Sequence, residues 1–524
     1  MKKRDPRADV RLTVEVDAAE RAEEELRRGD EPPFVIVALG DFRGRGDAEP
    51  RSADEGAARR LIAIDRDNFD AVMQRLGPIW AGSPWGGAQE SVVRLTFCSL
   101  EDFHPDRIAT CVEPLATLIE TRRGLLDPAR FEAAAAEVAR WVHTAPTEAA
   151  PAQPPPEVDA PAEGLDSGLL DRILERADAS TKSTQATPAA SDLQRLVERI
   201  VAPHLIRIDT RRQAELVAGV DAALTALMRA ILHDPRFQQL EAAWRSLWRL
   251  VTAVDSDVEL KVCIVQCTKE DLRRDLAAAG QTGESQILRP LRDAAAGPWG
   301  GVVALVVGDF EFDHSPDDLQ LLAHLGTEAQ QLGAPLVAAA GPRLLGCVSF
   351  AELPSPRELE RRFEEPAYQA WQALRNSPAA RWLALALPRV LCRLPYGPRT
   401  EPTEAFDFEE QADGIRHEEL LWGNPAFAVA TVVAAAFAGE GWSVDLAARV
   451  HHLEGLPLYV YEEQGAAVTI PCAEVLLSDR MVETLEGLGL VPVVSYRGTD
   501  TVVIPCLQSV GVPRAPLRPG GSQH

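Results

Sequence analysis

The sequence is short of positive charge: 54 Lys and Arg stand against 79 Asp and Glu, for a net charge of −25 at pH 7. Phosphate backbones are bound through Lys and Arg that displace counterions, so nucleic acid is not an expected partner. An anionic membrane surface is disfavoured for the same reason. Cysteine is sparse: eight residues are spread along the chain, and the closest pair, Cys263 and Cys267 in CIVQC, has no neighbouring His or Cys to complete a zinc set. The opening MKKRDPRADVRLTVEVD is basic but holds no apolar core, so it does not read as a secretory signal. Reduced thiols in a cytoplasmic protein are therefore the expectation. The glycine-rich SPWGG (83–87) and GPWGG (297–301) lack both the Lys-Ser/Thr of a P-loop and the spacing of a dinucleotide fingerprint. There is no G-x-S-x-G and no H-E-x-x-H. The adjacent histidines of VHHLEGLP (450–457) cannot share a helix or strand face, so they do not form a chelating pair. No catalytic, cofactor-binding or metal-binding residue is expected from motifs.

An uninterrupted membrane span is also missing. Residues 420–439, LLWGNPAFAVATVVAAAFAG, carry no charge, but Gly423-Asn424-Pro425 break the run. What remains is a short Ala-rich helix starting at Pro425, expected to be buried in a core, with no membrane insertion.

What the chain does have is globular composition, 46% hydrophobic and 25% charged, over 524 residues, a length that suggests two to four domains. Composition shifts at HTAPTEAAPAQPPPEVDAPAEG (143–164), where proline and alanine dominate without periodicity, and ADASTKSTQATPAAS (177–191) is a second such stretch. Residues 143–191 are thus expected to be a Pro/Ala/Ser-rich linker. Within it lies one amphipathic helix, 167–178 (SGLLDRILERAD), with Leu169, Leu170, Ile173 and Leu174 on a single face. Such a helix is either a docking peptide or packs back onto its own chain.

The flanking units read as α/β. In 1–142, VRLTVEV, PPFVIVALGDF (32–42) and SVVRLTF (91–97) are strand-like, and DPARFEAAAAEVARWVH is helical. In 192–510, helices at 192–233 and 235–252 precede the apolar strands ELKVCIVQC, GGVVALVVGDF and APLVAAAG, with helices such as 316–332 between them. RELERRFEE (357–365) reads as a charge-alternating helix surface. Residues 511–524 are expected to be a flexible tail.

One stretch, VVGDFEFDHSPDDLQLL (306–322), concentrates Asp309, Glu311, Asp313, His314, Asp317 and Asp318. Read as an EF-hand from Asp309, it has His314 where glycine is needed and Gln320 where a bidentate glutamate is needed. Ser315-Pro316-Asp317-Asp318 instead reads as a helix start, with a Ser cap, Pro in the first turn and carboxylates at the positive end of the dipole. A metal-dependent enzyme centred on Asp309, Asp313 and His314 stays open beside this structural reading.

Taken together, several strings resemble a known family. PPFVIVALGDFRGRGD, LIAIDRDNFDAVMQRLGP and RLTFCSLEDFHPDRI are similar to the small subunit of the bacterial type VI secretion contractile sheath. LEAAWRSLWRLV, VVGDFEFDHSPDDLQLL, PLVAAAGPRLLG, LALALPRVLCRLPYG, FDFEE, LLWGNPAFA and EVLLSDRMVETLEGLGLVPVVSYRGTDTVVI resemble the large subunit, in order. The resemblance implies mixed α/β layers related to phage tail-sheath protomers, with two intertwined sheath-subunit-like units joined by the Pro/Ala-rich linker. It implies a cytoplasmic structural protein, not an enzyme and without cofactors, that assembles with itself or other sheath subunits into helical rings around an inner tube on a baseplate. It implies that the 167–178 helix is bound by an AAA+ recycling ATPase through Leu169, Leu170, Ile173 and Leu174. Asp309, Asp313, His314, Pro316, Trp422, Gly423 and Asn424 become structural signatures. Large subunits of the family continue past the position of Ser509, where this chain has GVPRAPLRPGGSQH. That departure keeps open a divergent assembly regulator or cap that does not contract.

Overall fold

The computed structural model describes residues 31–46, 60–83, 92–144, 210–253, 259–282, 285–293, 301–411, 414–447, 450–463 and 465–520. The amphipathic helix at 167–178, most of the 143–191 segment, the VRLTVEV strand and both glycine-rich motifs except for Ser83 and Gly301 lie outside them.

Long apolar runs dictate the centre of the molecule. FVIVALG (Phe34–Gly40), LKVCIVQ (Leu260–Gln266) and LVAAA (Leu336–Ala340) have no polar alternation, as befits parallel strands covered on both faces. They join Ile62–Ile64, Val302–Phe312, Leu383–Leu387 and Val491–Pro492 in one seven-stranded sheet. From one edge the strands begin at Val491, Leu383, Leu336, Val302, Phe34, Leu260 and Ile62. Only Ile62–Ile64 runs antiparallel to its neighbour. The decisive feature is Phe34–Gly40. It sits between Leu260–Gln266 and Val302–Phe312, pairing in parallel with both, Val37 opposite Cys263 on one side and Val306 on the other. A strand from the N-terminal region thus forms the middle of a sheet whose neighbours come from more than 200 residues downstream.

Successive strand residues point to opposite faces. Val35, Val37 and Leu39 join the core under the Pro316–Leu332 helix, with Leu322, Leu325 and Phe312. On the other face Phe34 stacks on Phe437 of the Pro425–Glu440 helix, ring centroids 4.1 Å apart. That helix is apolar all round and buried from Pro425 to Ala434. It is long and apolar enough to cross a membrane, but it packs on the sheet as a core helix. The Pro235–Thr252 helix is held by aromatics of the N-terminal region: Trp244 meets Phe42 and Phe69 edge-on, and its indole N–H donates to the Phe42 carbonyl at 2.9 Å.

Backbone contacts divide the chain into two compact units, 116–224 and the remainder. The described residues of the smaller one are mostly helical. Its Phe131–Thr144 helix and the parts of Glu113–Leu126 and Thr210–Leu232 that it includes bury Ile119, Leu125, Phe131 and Val220. Arg122 donates to Asp221 at 2.5 Å, and Gln213 to the Leu125 carbonyl at 2.6 Å.

Two expectations need correction. The segment after Gly511 is not a free tail over its described part. Leu517 N–H donates to the Leu507 carbonyl at 2.9 Å and Gly520 N–H to the Ala304 carbonyl at 2.8 Å. The reason lies in the sheet: strand Leu336–Ala340 begins its pairing opposite Val306, leaving the Ala304 carbonyl without a ladder partner. Only glycine can come that close, since a Cβ at 520 would collide with the Val303 carbonyl. Ser315 does occupy the N-cap position of Pro316–Leu332, but its hydroxyl makes no capping bond. Asp313 accepts from the Ser315 N–H at 2.7 Å and so fixes the turn before the helix.

Candidate functional site

The signature residues occupy two neighbouring places and hold backbone there. Strand Val302–Phe312 is irregular between Val307 and Glu311, where its register against Leu336–Ala340 shifts. A bulge leaves ladder groups unpaired. The Asn424 amide reaches the freed carbonyls of Gly308 at 3.3 Å and Phe310 at 3.4 Å, while its oxygen caps the next helix by accepting from Ala426 N–H at 2.9 Å. Gly423 pairs with Val390, and a Cβ there would strike Cys392 Sγ and Ser246 Oγ. Trp422 donates its indole N–H to the His417 carbonyl at 2.9 Å. Pro316 sits in the first turn of its helix, as its fixed φ favours.

Asp309 lies on the bulge beside Gly40, where even a methyl group at residue 40 would press on its Cβ. Burial pushes its carboxyl up to about 7, with the hydrogen bond from Asn424 opposing and the Asp41 charge adding. A raised carboxyl gives its full stabilisation below the ordinary value of 3.8 and loses it as pH rises through about 7. Asp309→Asn, which cannot ionise, is therefore expected to melt with the parent near pH 4 and above it at pH 8. A variant melting below the parent at pH 8 would mean that the ionised form is the one the fold holds.

Asp313 and His314 turn to other partners. Asp313 N–H donates to Asp318 at 2.9 Å, and Asp318 is clamped by Lys269 and Arg273, each at 2.7 Å. The His314 ring stacks on Tyr368 at 4.5 Å, with Nδ1 3.0 Å from the Arg343 carbonyl. Among the described residues, no group of three or more His, Cys, Asp or Glu side chains could hold a metal ion. All eight cysteines are free, and burial pushes the Cys263 thiol up to about 12, so it stays protonated. His451 and His452 alternate buried and exposed along their strand. Leu169, Leu170, Ile173 and Leu174 lie outside the described residues.

The densest chemistry was missed by motif reading. Arg393, 6% exposed, is gripped by two fully buried carboxylates. Its Nε donates to Glu241 at 2.8 Å and its Nη1 to Glu410 at 2.7 Å. Its guanidinium lies 4.1 Å from the Tyr396 ring centroid. Glu241 also accepts from Arg245 at 2.7 Å, Arg245 donates to the Tyr396 hydroxyl at 3.1 Å, and Glu410 accepts the Tyr396 N–H at 2.8 Å. Burial would raise the Glu410 carboxyl, but the Arg393 charge, the His233 ring 3.5 Å away and the hydrogen bond from Arg393 outweigh it and hold it at about 2. The network joins the string LEAAWRSLWRLV to VLCRLPYG and FDFEE, with Glu241 152 residues from Arg393 and Glu410 17 residues from it. The available signal was a charge inside an apolar context, Arg393 within VLCRLPYG and Glu241 beside Leu240 and Ala242, which a buried position tolerates only with a partner. Nearby, Arg389 and Glu474 form a two-pronged pair at 2.7 and 2.6 Å, and His417 reaches Glu474 at 2.8 Å. Geometrically these are locks between segments.

Comparison with known proteins follows the same division. Residues 214–511 match the family model described as "EvpB/VC_A0108, tail sheath N-terminal domain". Residues 1–133 match the one described as "Type VI secretion system, VipA, VC_A0107 or Hcp2". The type VI secretion system sheath protein TssC1 of Pseudomonas aeruginosa is 35% identical over 320 residues, 59% of this chain. The match spans 64% of TssC1's own length. Sheath protein TssB1 of the same organism is 33% identical over 125 residues, 23% of this chain and 67% of TssB1.

Proposed function

Since the chain belongs to the EvpB/VC_A0108 tail sheath family and carries a VipA-like region on the same polypeptide, we propose that it is a fused small and large subunit of a contractile type VI secretion sheath. The observation that carries this reading is the strand Phe34–Gly40, paired on both sides by strands of the large-subunit-like region. Two chains built this way would be one folding unit, and joining them fixes their stoichiometry at one to one and keeps their local concentration high. The role is mechanical and cytoplasmic. Protomers related to phage tail-sheath subunits stack in helical rings around an inner tube on a baseplate, and contraction drives the tube outward. Locks made of buried ion pairs suit a part that must transmit force without rearranging internally, because breaking them is costly.

Negative-stain imaging of the purified chain, alone and mixed with separate sheath subunits, tests the proposal. Rings, tubes or mixed sheaths are expected. A species that stays monomeric under every condition contradicts it, and closed caps on the ends of other sheaths would support the non-contracting alternative.

The 143–191 segment is proposed to link the two regions and to present the 167–178 helix to an AAA+ recycling ATPase, as helix-in-groove capture requires an apolar face. Leu170→Asp with Leu174→Asp places charge on that face. Binding to the ATPase N-terminal domain is expected to fall at least tenfold while the melting temperature stays within about 2 °C, since surface changes usually cost under about 0.5 kcal/mol. A large drop in melting temperature with unchanged binding would assign the helix to the core.

A further inference from the structure

The triplet Gly-Asp-Phe occurs twice in the chain, at 40–42 and at 308–310. The sheet brings the two together: Leu39 pairs with Gly308, so the triplets lie side by side on neighbouring parallel strands. A third parallel strand adds Gln266, which pairs with Gly40 from the other side. Gly40 thus has Gln266 on one flank and Asp309 on the other, and no side chain of its own to separate them. A Cβ at residue 40 would lie 2.9 Å from that of Asp309.

The Asp41 carboxylate accepts from Gln266 Nε2 and from the Gly46 N–H, each at 2.7 Å. The first bond fixes the Gln266 amide, because turning it over would set oxygen against carboxylate. Gln266 Oε1 is then left without a partner on a residue only 9% exposed. A buried acceptor in that state is costly and calls for a partner. Asp309 receives the Asn424 amide and feels the Asp41 charge. Among the described residues no Lys or Arg pairs with Asp41 or Asp309, Arg43 and Arg45 included. Lys269, just beyond Gln266 in sequence, is taken by Asp318 and the Glu311 carbonyl. The other charges around the neighbouring Cys267, Asp271 and Asp275, are negative as well. The helix starting at Pro425 has no N–H to spare at its first turn, since proline lacks one and Asn424 accepts those of Ala426 and Phe427.

Two carboxylates and an orphaned amide oxygen are all hard oxygen donors, and the place lacks positive charge. We infer that Asp41, Asp309 and Gln266 Oε1 hold a hard divalent cation of the Mg²⁺ kind beside Gly40. Asp41 and Asp309 are part-exposed, so water can complete the shell, as Mg²⁺ prefers. The set differs from a group of three His, Cys, Asp or Glu in that its third donor is an amide. Its role is structural: the cation ties Phe34–Gly40 to the strands on both sides of it. The inference does not depend on the sheath reading, because it concerns three strands of one chain.

Thermal unfolding of the full chain at pH 8, in EDTA and in about 10 mM MgCl₂ at matched ionic strength, tests it. The melting temperature of the parent is expected to rise by at least about 3 °C with Mg²⁺, as linkage to a cation bound by the folded state requires. Asp41→Asn and Asp309→Asn keep the side-chain shape and should each lose more than half of that rise. The advantage of Asp309→Asn over the parent at pH 8 belongs to the EDTA arm. Gln266→Glu offers the cation a third carboxylate, so it should melt below the parent in EDTA and rise further than the parent with Mg²⁺. Equilibrium dialysis should count one Mg²⁺ fewer per chain for Asp41→Asn than for the parent. No rise in the parent, more than half the rise kept by either Asn variant, a Gln266→Glu rise no larger than the parent's, or equal counts in dialysis would each overturn the inference.

Discussion

Arg393→Met is expected to cost about 3–5 kcal/mol of folding stability, as breaking a buried ion pair from one side does. The methionine fills similar space, so packing is largely kept and the loss is electrostatic. Glu241 retains Arg245, but Glu410 keeps only His233 and the Tyr396 N–H around a side chain that water hardly reaches. The pH dependence identifies the cause. Glu410 is held at about 2, below its ordinary 4.5, so its contribution is fully present above pH 4.5 and is lost as pH falls toward 2. The gap between parent and variant in urea unfolding should be widest above pH 4.5 and close below it. Adding Glu410→Gln to the variant should recover part of the loss at neutral pH. A gap under 1 kcal/mol at pH 7, or one that does not change with pH, would mean that the network is solvated and contributes little.

The second large effect concerns the shared sheet. Val37→Asp puts a carboxyl at a fully buried position between Cys263 and Val306. Losing the valine's burial costs about 1.5–3 kcal/mol and leaving a polar group unpaired about 1–3 more. A total of roughly 3–6 kcal/mol is comparable with the whole stability of many domains. The variant is expected to be mostly insoluble or to melt far below the parent, while Val92→Asp, at a position 56% exposed, melts with it. Because Phe34–Gly40 touches both neighbours, the damage should reach residues 260–312, read as faster exchange of their amides. If only the first hundred residues loosen and the rest stays protected, the N-terminal region is an independent domain and the sheet is not a single cooperative unit.

Much of the local structure was legible because local chemistry specifies it. Pro235–Thr252 and Pro316–Leu332 begin and end where proline, carboxylates and the following turn place them. The apolar strands were legible as runs without alternation. What could not be read was their order, since parallel pairing leaves no mark in the strand itself and Phe34–Gly40 has no more local claim on Leu260 than on any other strand. The ion network escaped for the same reason: Glu241, Arg393 and Glu410 are each ordinary in their own windows, and only tertiary proximity explains them. Pro/Gly composition misled at 511–520, because the reading weighed lost propensity and not the carbonyl at Ala304 waiting for a donor. In the 306–322 stretch the sequence placed the helix start correctly at Ser315-Pro316, but the Ser315 hydroxyl makes no capping bond.

The position of Phe34–Gly40 also sets a timetable for synthesis. That strand leaves the ribosome roughly 220 residues ahead of Leu260 and 260 ahead of Val302, which at about 5–20 residues per second is a wait of roughly 10–50 s. During it, seven consecutive residues that are buried in the finished sheet have no native neighbour on either side. The nascent chain therefore carries an aggregation-prone strand edge through nearly half of its translation, and its yield should depend on elongation speed and on holdase chaperones far more than that of a protein whose sheet grows outward from sequential strands. Slowing elongation through residues 40–260 by synonymous codons would lengthen that exposure and lower the soluble fraction, with the mature protein unchanged.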